Sequence, residues 1–328
     1  MIITVITKPV PTARERMRRR IERCLRAIAA PLLGSQPLTP EHVYRGPGAV
    51  ARSLVDGLAG AGIGCVYNPQ CVRRITEYVV VLSDTAAIAQ AIGWKKQGKI
   101  RTLIAGPNLV TWPADCGRII AAQEIDIFLV NSEWTRDLYL REIPELAGRC
   151  RIWPAGVDLH YWDCAGNERR RRSVLFMYKS GPWDMLFNTS EYVRARGRPV
   201  TILAYGQYTR EQYRTALQES DCAVFFSNSE SQGIALCESW AADVPTLAWN
   251  SGVCFFGDRG VFCPASSAPY LCADTGLFFS DIEGFRRAWD VFERERRRFA
   301  PRAWVARHMT DEVCARKLAA IFHEACGR

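Results

Sequence analysis

FFSNSESQGIALCESWAADVPTLAWNSG, residues Phe225–Gly252, is the stretch from which the rest of the chain can be read. It lies at the end of an apolar strand predicted over Ala223–Phe226. A polar loop, Ser227–Gln232, follows and carries Glu230. Gly233 leads into a short helical run that carries Glu238 and stops near Asp243. Pro245 begins a second apolar strand, Thr246–Trp249. Strand, loop, helix and strand in this order predict a glycine turn that presents backbone N–H groups at a helix N-terminus. Such a turn suits an anion, above all a phosphate. Seven residues separate Glu230 from Glu238, so one falls on the loop and the other on the helix face. A phosphate site has no electrostatic use for carboxylates. Their chemistry there is to accept hydrogen bonds from hydroxyls, which describes a ligand with sugars on both ends of its phosphates.

The chain around this stretch has 328 residues, more than one ordinary domain and about right for two. Hydrophobic content of 48% and charged content of 23% describe a globular chain with a large core. No apolar run reaches the ~18–20 residues that span a bilayer. The N-terminal MIITVITKPV lacks a basic n-region and is expected as a first strand rather than a signal peptide. The 13 cysteines are dispersed and none stand as C-x-x-C, which predicts reduced thiols and a cytoplasmic location. The 4 histidines, His42, His160, His308 and His323, form no group of ligand spacing with them, so no metal is expected. Lys and Arg number 43 against 34 Asp and Glu, a net charge of +9. Either attraction to phosphates or an arginine-rich surface accounts for it. The excess gathers in Arg14–Arg26, Arg169–Arg172 and Arg294–Arg302, without the aromatic interleaving of a single-strand nucleic-acid surface. Nucleic acid is not expected as a partner.

Taken in order, Ile2–Thr7 reads as a strand. Met17, Ile21, Cys24, Leu25, Ile28 and Leu32 then recur at helical spacing, with arginines on the other face. A basic helix over 13–33 can lie on an anionic membrane surface or pack on the domain with its arginines solvated. Arg45-Gly46-Pro47-Gly48 is a glycine turn opening a helix over Ala49–Ala61; it either admits a ligand to the backbone or simply turns the chain. Strands follow at Gly64–Tyr67, Tyr78–Leu82, Arg101–Ala105, Ile125–Val130 and Arg151–Trp153, with helices at Thr85–Gln97 and Thr135–Arg141 between them. Asp84 is expected as the cap of the first of these helices. Gly106-Pro107-Asn108 is a turn at a strand's C-terminal end, the end that faces the ligand crevice in open α/β sheets. The alternation predicts a doubly wound parallel sheet. It restarts with a strand at Ser173–Met177, a helix at Trp183–Arg196, a strand at Val200–Ala204 and a helix at Thr209–Glu219. Ile282–Phe299 and Trp304–Ala325 are expected as two helices.

With its surroundings in view, the E-x7-E run ESQGIALCE (Glu230–Glu238) and its continuation SWAADVPTLAW resemble the family 4 type of retaining nucleotide-sugar glycosyltransferases. Supporting stretches are RGPGAVARSLVDGL (Arg45–Leu58), VNSEWTRDLY (Val130–Tyr139), IWPAGVDLHYW (Ile152–Trp162), VLFMYKS (Val174–Ser180) and APYLCADTGLFF (Ala268–Phe279). The resemblance implies a GT-B fold, an α/β architecture of two Rossmann-like doubly wound domains facing across a cleft. The expected division is an N-terminal acceptor-side domain, 1–158, with a basic helical insertion at about 11–40. A linker over 159–172 leads to a nucleotide-sugar-binding domain, 173–303, and a C-terminal helix, 304–328, that packs back on the first domain. The implied activity is metal-independent hexosyl transfer from a UDP- or GDP-linked donor to a glycan, a lipid-linked or another acceptor, with no cofactor. The insertion stands outside the resemblance, and peripheral membrane contact through 13–33 is an expectation from its basic amphipathic pattern alone.

Residue by residue, the resemblance puts Glu230 on the donor sugar's hydroxyls and Glu238 on the ribose. The amides of Ser231, Gln232, Gly233, Ile234 and Ala235 fall on the diphosphate. Gly46 and Gly48 are the glycine loop of the first domain. Lys179 is the basic residue at the diphosphate, and Tyr205, Gly206 and Tyr208 lie where the nucleotide base packs. Two positions depart from the pattern. Asp184 stands where a second basic residue is common, and Gly106-Pro107-Asn108 replaces a histidine near the reacting centre, leaving Asn108 as the hydrogen-bonding group. A catalytically silent nucleotide-sugar-binding scaffold, or an epimerase or phosphorylase of the same architecture, is the alternative.

Overall fold

The computed structural model describes residues 1–18, 21–22, 46–164 and 172–327. Residues 13–18 are helical. Most of the basic helix expected over 13–33, most of the insertion at 11–40, Arg45 and most of the Arg169–Arg172 run lie outside the described residues. The chain divides into two compact units. Unit 1 comprises Met1–Val130, Tyr139–Trp153 and Ala315–Arg328; unit 2 comprises Asn131–Leu138 and Pro154–Cys314.

Unit 1 is a six-stranded parallel sheet of β1 (Ile2–Ile6), β2 (Gly64–Tyr67), β3 (Tyr78–Ser83), β4 (Thr102–Asn108), β5 (Ile127–Val130) and β6 (Cys150–Ile152), in the order β2-β1-β3-β4-β5-β6. The apolar runs of β3 and β5 are buried throughout, as a sheet covered on both faces requires. Helix α1 (Pro47–Gly60) starts from Gly46 with Pro47 in its first turn, and α2 (Thr85–Lys96) starts from Asp84. Asp84 caps α2 as expected, accepting from the N–H of Ala86 and Ala87 at 2.8 and 3.0 Å. Strand β4 does not stop at Ala105 as its sequence suggests. It runs on to Asn108, which pairs with Ser83 after a register shift. Gly106 permits this at φ +98°, where a Cβ would stand 2.4 Å from the carbonyl oxygen of Leu129.

Unit 2 is a five-stranded parallel sheet of β7 (Ser173–Tyr178), β8 (Val200–Ala204), β9 (Ser220–Phe226), β10 (Thr246–Trp249) and, after the hairpin β11 (Val253–Phe256) and β12 (Val261–Pro264), β13 (Gly276–Phe279). Its order is β13-β10-β9-β7-β8. Alternate residues serve opposite faces. Leu175, Met177, Ala223 and Phe225 join Trp162, Tyr213 and Trp240 in one core. Val174, Phe176, Val224 and Phe226 join Phe285, Trp289 and Phe292 in the other. The first six residues of the expected 159–172 linker thus carry the fully buried Trp162 and the buried Cys164 into a core.

The helices of this half and the last helix of the chain are α3 (Glu133–Glu142), α4 (Trp183–Arg194), α5 (Arg210–Glu219), α6 (Ile234–Ala241), α7 (Ile282–Glu295), α8 (Pro301–His308) and α9 (Asp311–Cys326). Two differ from expectation. The helix expected over Ile282–Phe299 ends at Glu295, and Arg296–Arg298 tighten into a 3-10 turn. The single helix expected over Trp304–Ala325 is two, α8 and α9. Thr310 makes the break: its Oγ1 accepts from the N–H of Val313 at 3.1 Å, and its backbone bridges to Val157.

Candidate functional site

In unit 2 the winding reverses between β7 and β9: the chain leaves β7 for β8 on one side, then returns to β9 on the other. Loops at such a reversal splay apart at the strands' C-terminal ends and leave a crevice. Lys179 follows β7, and the loop 227–232 follows β9. Their side chains meet: Lys179 Nζ donates to Glu230 Oε1 at 2.8 Å. Ser227 Oγ donates to the same oxygen at 3.0 Å. The Glu230 backbone is held at both ends, its N–H on the carbonyl of Ser266 and its carbonyl under Trp134 Nε1, each at 2.9 Å. Tyr205, at the end of β8, lies with its ring 5.2 Å from Lys179 Nζ, within cation–π reach. Lys179, Tyr205 and Glu230 therefore form one constellation.

Gly233 starts α6 in the left-handed region, at φ +79°, and no side chain caps this helix. Its first-turn N–H groups have no carbonyl partners inside the helix. A Cβ on Gly233 would meet Leu236 Cδ1 at 2.7 Å, so the turn is built for glycine on both grounds. Gln232 is almost wholly buried, and its side-chain amide closes a pair with the Ala155 backbone. Oε1 accepts from the Ala155 N–H at 2.9 Å, and Nε2 donates to the Ala155 carbonyl at 2.7 Å. The Gln232 side chain thus anchors the loop, and its backbone is what remains for a ligand. Ser231 is exposed beside it.

Glu238 lies one helical turn further along α6, half-buried. Burial pushes its carboxyl from the ordinary value of 4.5 up to about 8, against the pull of the Arg210 charge. Arg210 lies 3.6 Å above the ring of Tyr161. The Tyr161 hydroxyl is buried with no hydrogen-bond partner among the described residues, and burial raises its pKa. Tyr213 donates from its hydroxyl to the Ala235 carbonyl at 2.6 Å, and Tyr208 packs on it at 5.5 Å. Gly206 turns the chain at φ +85° between Tyr205 and Tyr208. Asp184 is exposed in the first turn of α4.

Gly46, Gly48 and Asn108 belong to unit 1. Gly46 is at φ +54° with open space where a Cβ would project, and Gly48 lies in the first turn of α1. Asn108 keeps a buried Nδ2 that has no hydrogen-bond partner among the described residues. Among the described residues, no three His, Cys, Asp or Glu side chains gather as a metal site, and no helix is long and apolar enough to cross a membrane.

Sequence reasoning overlooked Ser227, Trp134, Arg210 and Tyr161. Ser227 sits in the quoted loop, three residues before Glu230, and Trp134 lies in a stretch noted for its resemblance but given no role. Arg210 is the first residue of α5, directly after its cap Thr209. Tyr161 was hidden by the polar character of the residues after it, which masked the aromatic pair Tyr161-Trp162.

No protein-family model matches the sequence, and no curated protein sequence does either. Solved structures do match. The lipopolysaccharide outer core galactosyltransferase WaaB, in its apo form, superposes with a TM-score of 0.57 at 12% identity, over 99% of both chains. AviGT4, a glycosyltransferase of avilamycin A biosynthesis, superposes with a TM-score of 0.53 at 12% identity, over 100% of this chain and 99% of its own. TarM matches 74% of this chain with a TM-score of 0.50 and 13% identity, and the chain spans only 54% of TarM's length. At these identities the likeness is one of fold. The fold is GT-B, with two Rossmann-like domains.

Proposed function

We propose that this chain is a retaining, metal-independent hexosyltransferase of the family 4 type, taking its sugar from a UDP- or GDP-linked donor. The observation that carries this is the meeting of Lys179 and Glu230 at 2.8 Å beside the uncapped start of α6, where the winding of the sheet reverses. A cation, a set of unpartnered amides and a carboxylate stand together there. The cation and the amides suit a diphosphate, and the carboxylate suits sugar hydroxyls.

On this proposal the donor diphosphate lies on the N–H groups of Ser231–Ala235 and draws Lys179 away from Glu230. Glu230 then accepts from the sugar's hydroxyls, and Glu238 from the ribose. Tyr205 and Tyr208 flank the base, with Gly206 allowing its approach. Breaking the sugar–phosphate bond places new negative charge on the leaving phosphate. Preorganised N–H groups and Lys179 stabilise that charge at little reorganisation cost. The departing phosphate oxygen takes the acceptor's proton. Asn108, with its buried amide, is the candidate first-domain partner of the reacting sugar, and Gly46 and Gly48 are candidate phosphate contacts. The acceptor is a glycan, a lipid-linked saccharide or another hydroxyl compound.

A panel of radiolabelled UDP- and GDP-sugars, with product linkage analysis, tests this. Donor-dependent transfer or slow donor hydrolysis is the expected outcome. The acidic Asp184 in the first turn of α4 favours one second possibility, a nucleotide-sugar-binding scaffold without turnover. Saturable donor binding with no hydrolysis and no transfer would establish that instead.

A further inference from the structure

The hairpin of β11 and β12 stands outside the proposed donor chemistry, yet it is tied to the loop that carries Glu230. Its register sets Val253 opposite Pro264, Cys254 opposite Cys263 and Phe255 opposite Phe262. Cross-strand partners share a face of the ladder. The two phenylalanines stack at 4.6 Å on the solvent side, 53% and 68% exposed. The two cysteines share the other side, with Cys263 buried and Cys254 half-buried. Both are thiols. Ser229 Oγ donates to Cys254 Sγ at 3.2 Å.

The pair type follows from the ladder. The Ala265 N–H donates to the Gly252 carbonyl at 3.0 Å, which marks a hydrogen-bonded pair next to Val253 and Pro264. Pairs alternate along an antiparallel ladder. Val253–Pro264 is then non-hydrogen-bonded, as a proline without an N–H requires, and Cys254–Cys263 is hydrogen-bonded. Opposed Cα atoms in such a pair stand about 5.5 Å apart. That separation lies inside the ~4.4–6.8 Å range that disulfides span. The Cβ atoms of a hydrogen-bonded pair stand ~5.5 Å apart, however, where a disulfide needs ~3.5–4.5 Å, so closing the bond draws the two strands together and leaves it readily reduced.

We propose that Cys254 and Cys263 are a reversible disulfide site, oxidised by a low-molecular-weight disulfide. Cys254, the more accessible thiol, attacks as thiolate one sulfur of the small disulfide. The small S–S bond breaks, one small thiol departs, and a mixed disulfide stands on Cys254. The Cys263 thiolate then attacks Cys254 Sγ, and the second small thiol departs. Two protein thiols are oxidised, one small disulfide is reduced to two thiols, and the two protein protons end on those leaving groups. Once bonded to Cys263, Cys254 Sγ turns from Ser229. Ser227 Oγ lies 3.1 Å from the Ser229 carbonyl and 3.0 Å from Glu230 Oε1, so its single proton serves one of the two at a time and a shift of Ser229 changes which. Oxidation therefore loosens the seat of Glu230 and weakens donor binding. This kinetic consequence rests on the proposed transferase activity; the covalent site does not.

The full chain is equilibrated with oxidised and reduced glutathione at graded ratios, then digested without reduction and mapped by mass spectrometry. The expected product joins the Cys254 and Cys263 peptides, loses two hydrogens, and reverts with dithiothreitol. Donor KM rises several-fold in the oxidised form and returns on reduction. Cys263→Ala stops at the mixed disulfide on Cys254, and Cys254→Ser forms neither species. Oxidation at exposed Cys116 while Cys254 and Cys263 stay thiols would overturn the site. A disulfide with unchanged donor KM would keep the site and overturn the relay to Glu230. Should no donor turn over, the peptide map still decides the covalent claim.

Discussion

Glu238 stands in the folded chain with its carboxyl raised from 4.5 to about 8 by burial. The folded state therefore favours the protonated form more than the unfolded state does. That contribution to stability is complete below about pH 4.5 and is lost as pH climbs through about 8. Thermal melting from pH 4 to 9 should show a declining Tm, and Glu238→Gln should flatten the decline. A slope unchanged in the variant would assign the dependence elsewhere. The same variant should lose most donor turnover while keeping its fold. Lys179→Met should cost about 10²-fold in kcat, the typical loss of one preorganised group at a developing anion. Wild-type turnover in that variant would remove Lys179 from the chemistry. The two acids could be picked from their places on the loop and the helix, and Lys179 from the resemblance. Their partners could not, because the contacts of Lys179 with Glu230 and of Arg210 with Tyr161 join residues about 50 positions apart.

Loops and helix ends decide the site at the next scale up. Gln232 binds the Ala155 backbone through both ends of its amide, and nothing local in the sequence announces a partner 77 residues away. Gln232→Ala removes both bonds and leaves the Ala155 backbone groups unsatisfied. We expect a loss of about 2 kcal/mol in stability by denaturant titration, together with a raised donor KM. Gly233→Ala should weaken donor binding by a separate route. A side chain at φ +79° costs about 1–2 kcal/mol, and its Cβ crowds Leu236. Isothermal titration with a nucleoside diphosphate checks this. Elements with strong local signals were legible: β8, β10 and the Asp84 cap stand where the sequence put them. The Thr310 break was missed because helical periodicity continues across it, and the β11–β12 hairpin because four-residue strands joined through Gly257–Gly260 carry little pattern.

For the whole molecule, alternation of strands and helices was enough to foresee two doubly wound units, since parallel sheets need a covering helix at each crossover. The strand orders, and with them the reversal between β7 and β9, follow from long-range pairing that no local stretch encodes. On the proposed function, the net charge of +9 favours the approach of an anionic donor, so kcat/KM should fall as sodium chloride is raised, more steeply than kcat. Equal sensitivity of the two would point to a later step. If the proposed transfer is the chain's activity, the ion pair of Lys179 and Glu230 also bears on product release. The two charges neutralise each other in the ion pair, and a nucleotide sugar bound as proposed would replace both partners at once. A spent nucleoside diphosphate replaces only one: it satisfies Lys179 and strands Glu230. Under the proposed function, reforming the pair would then help expel the product, a spring against product inhibition.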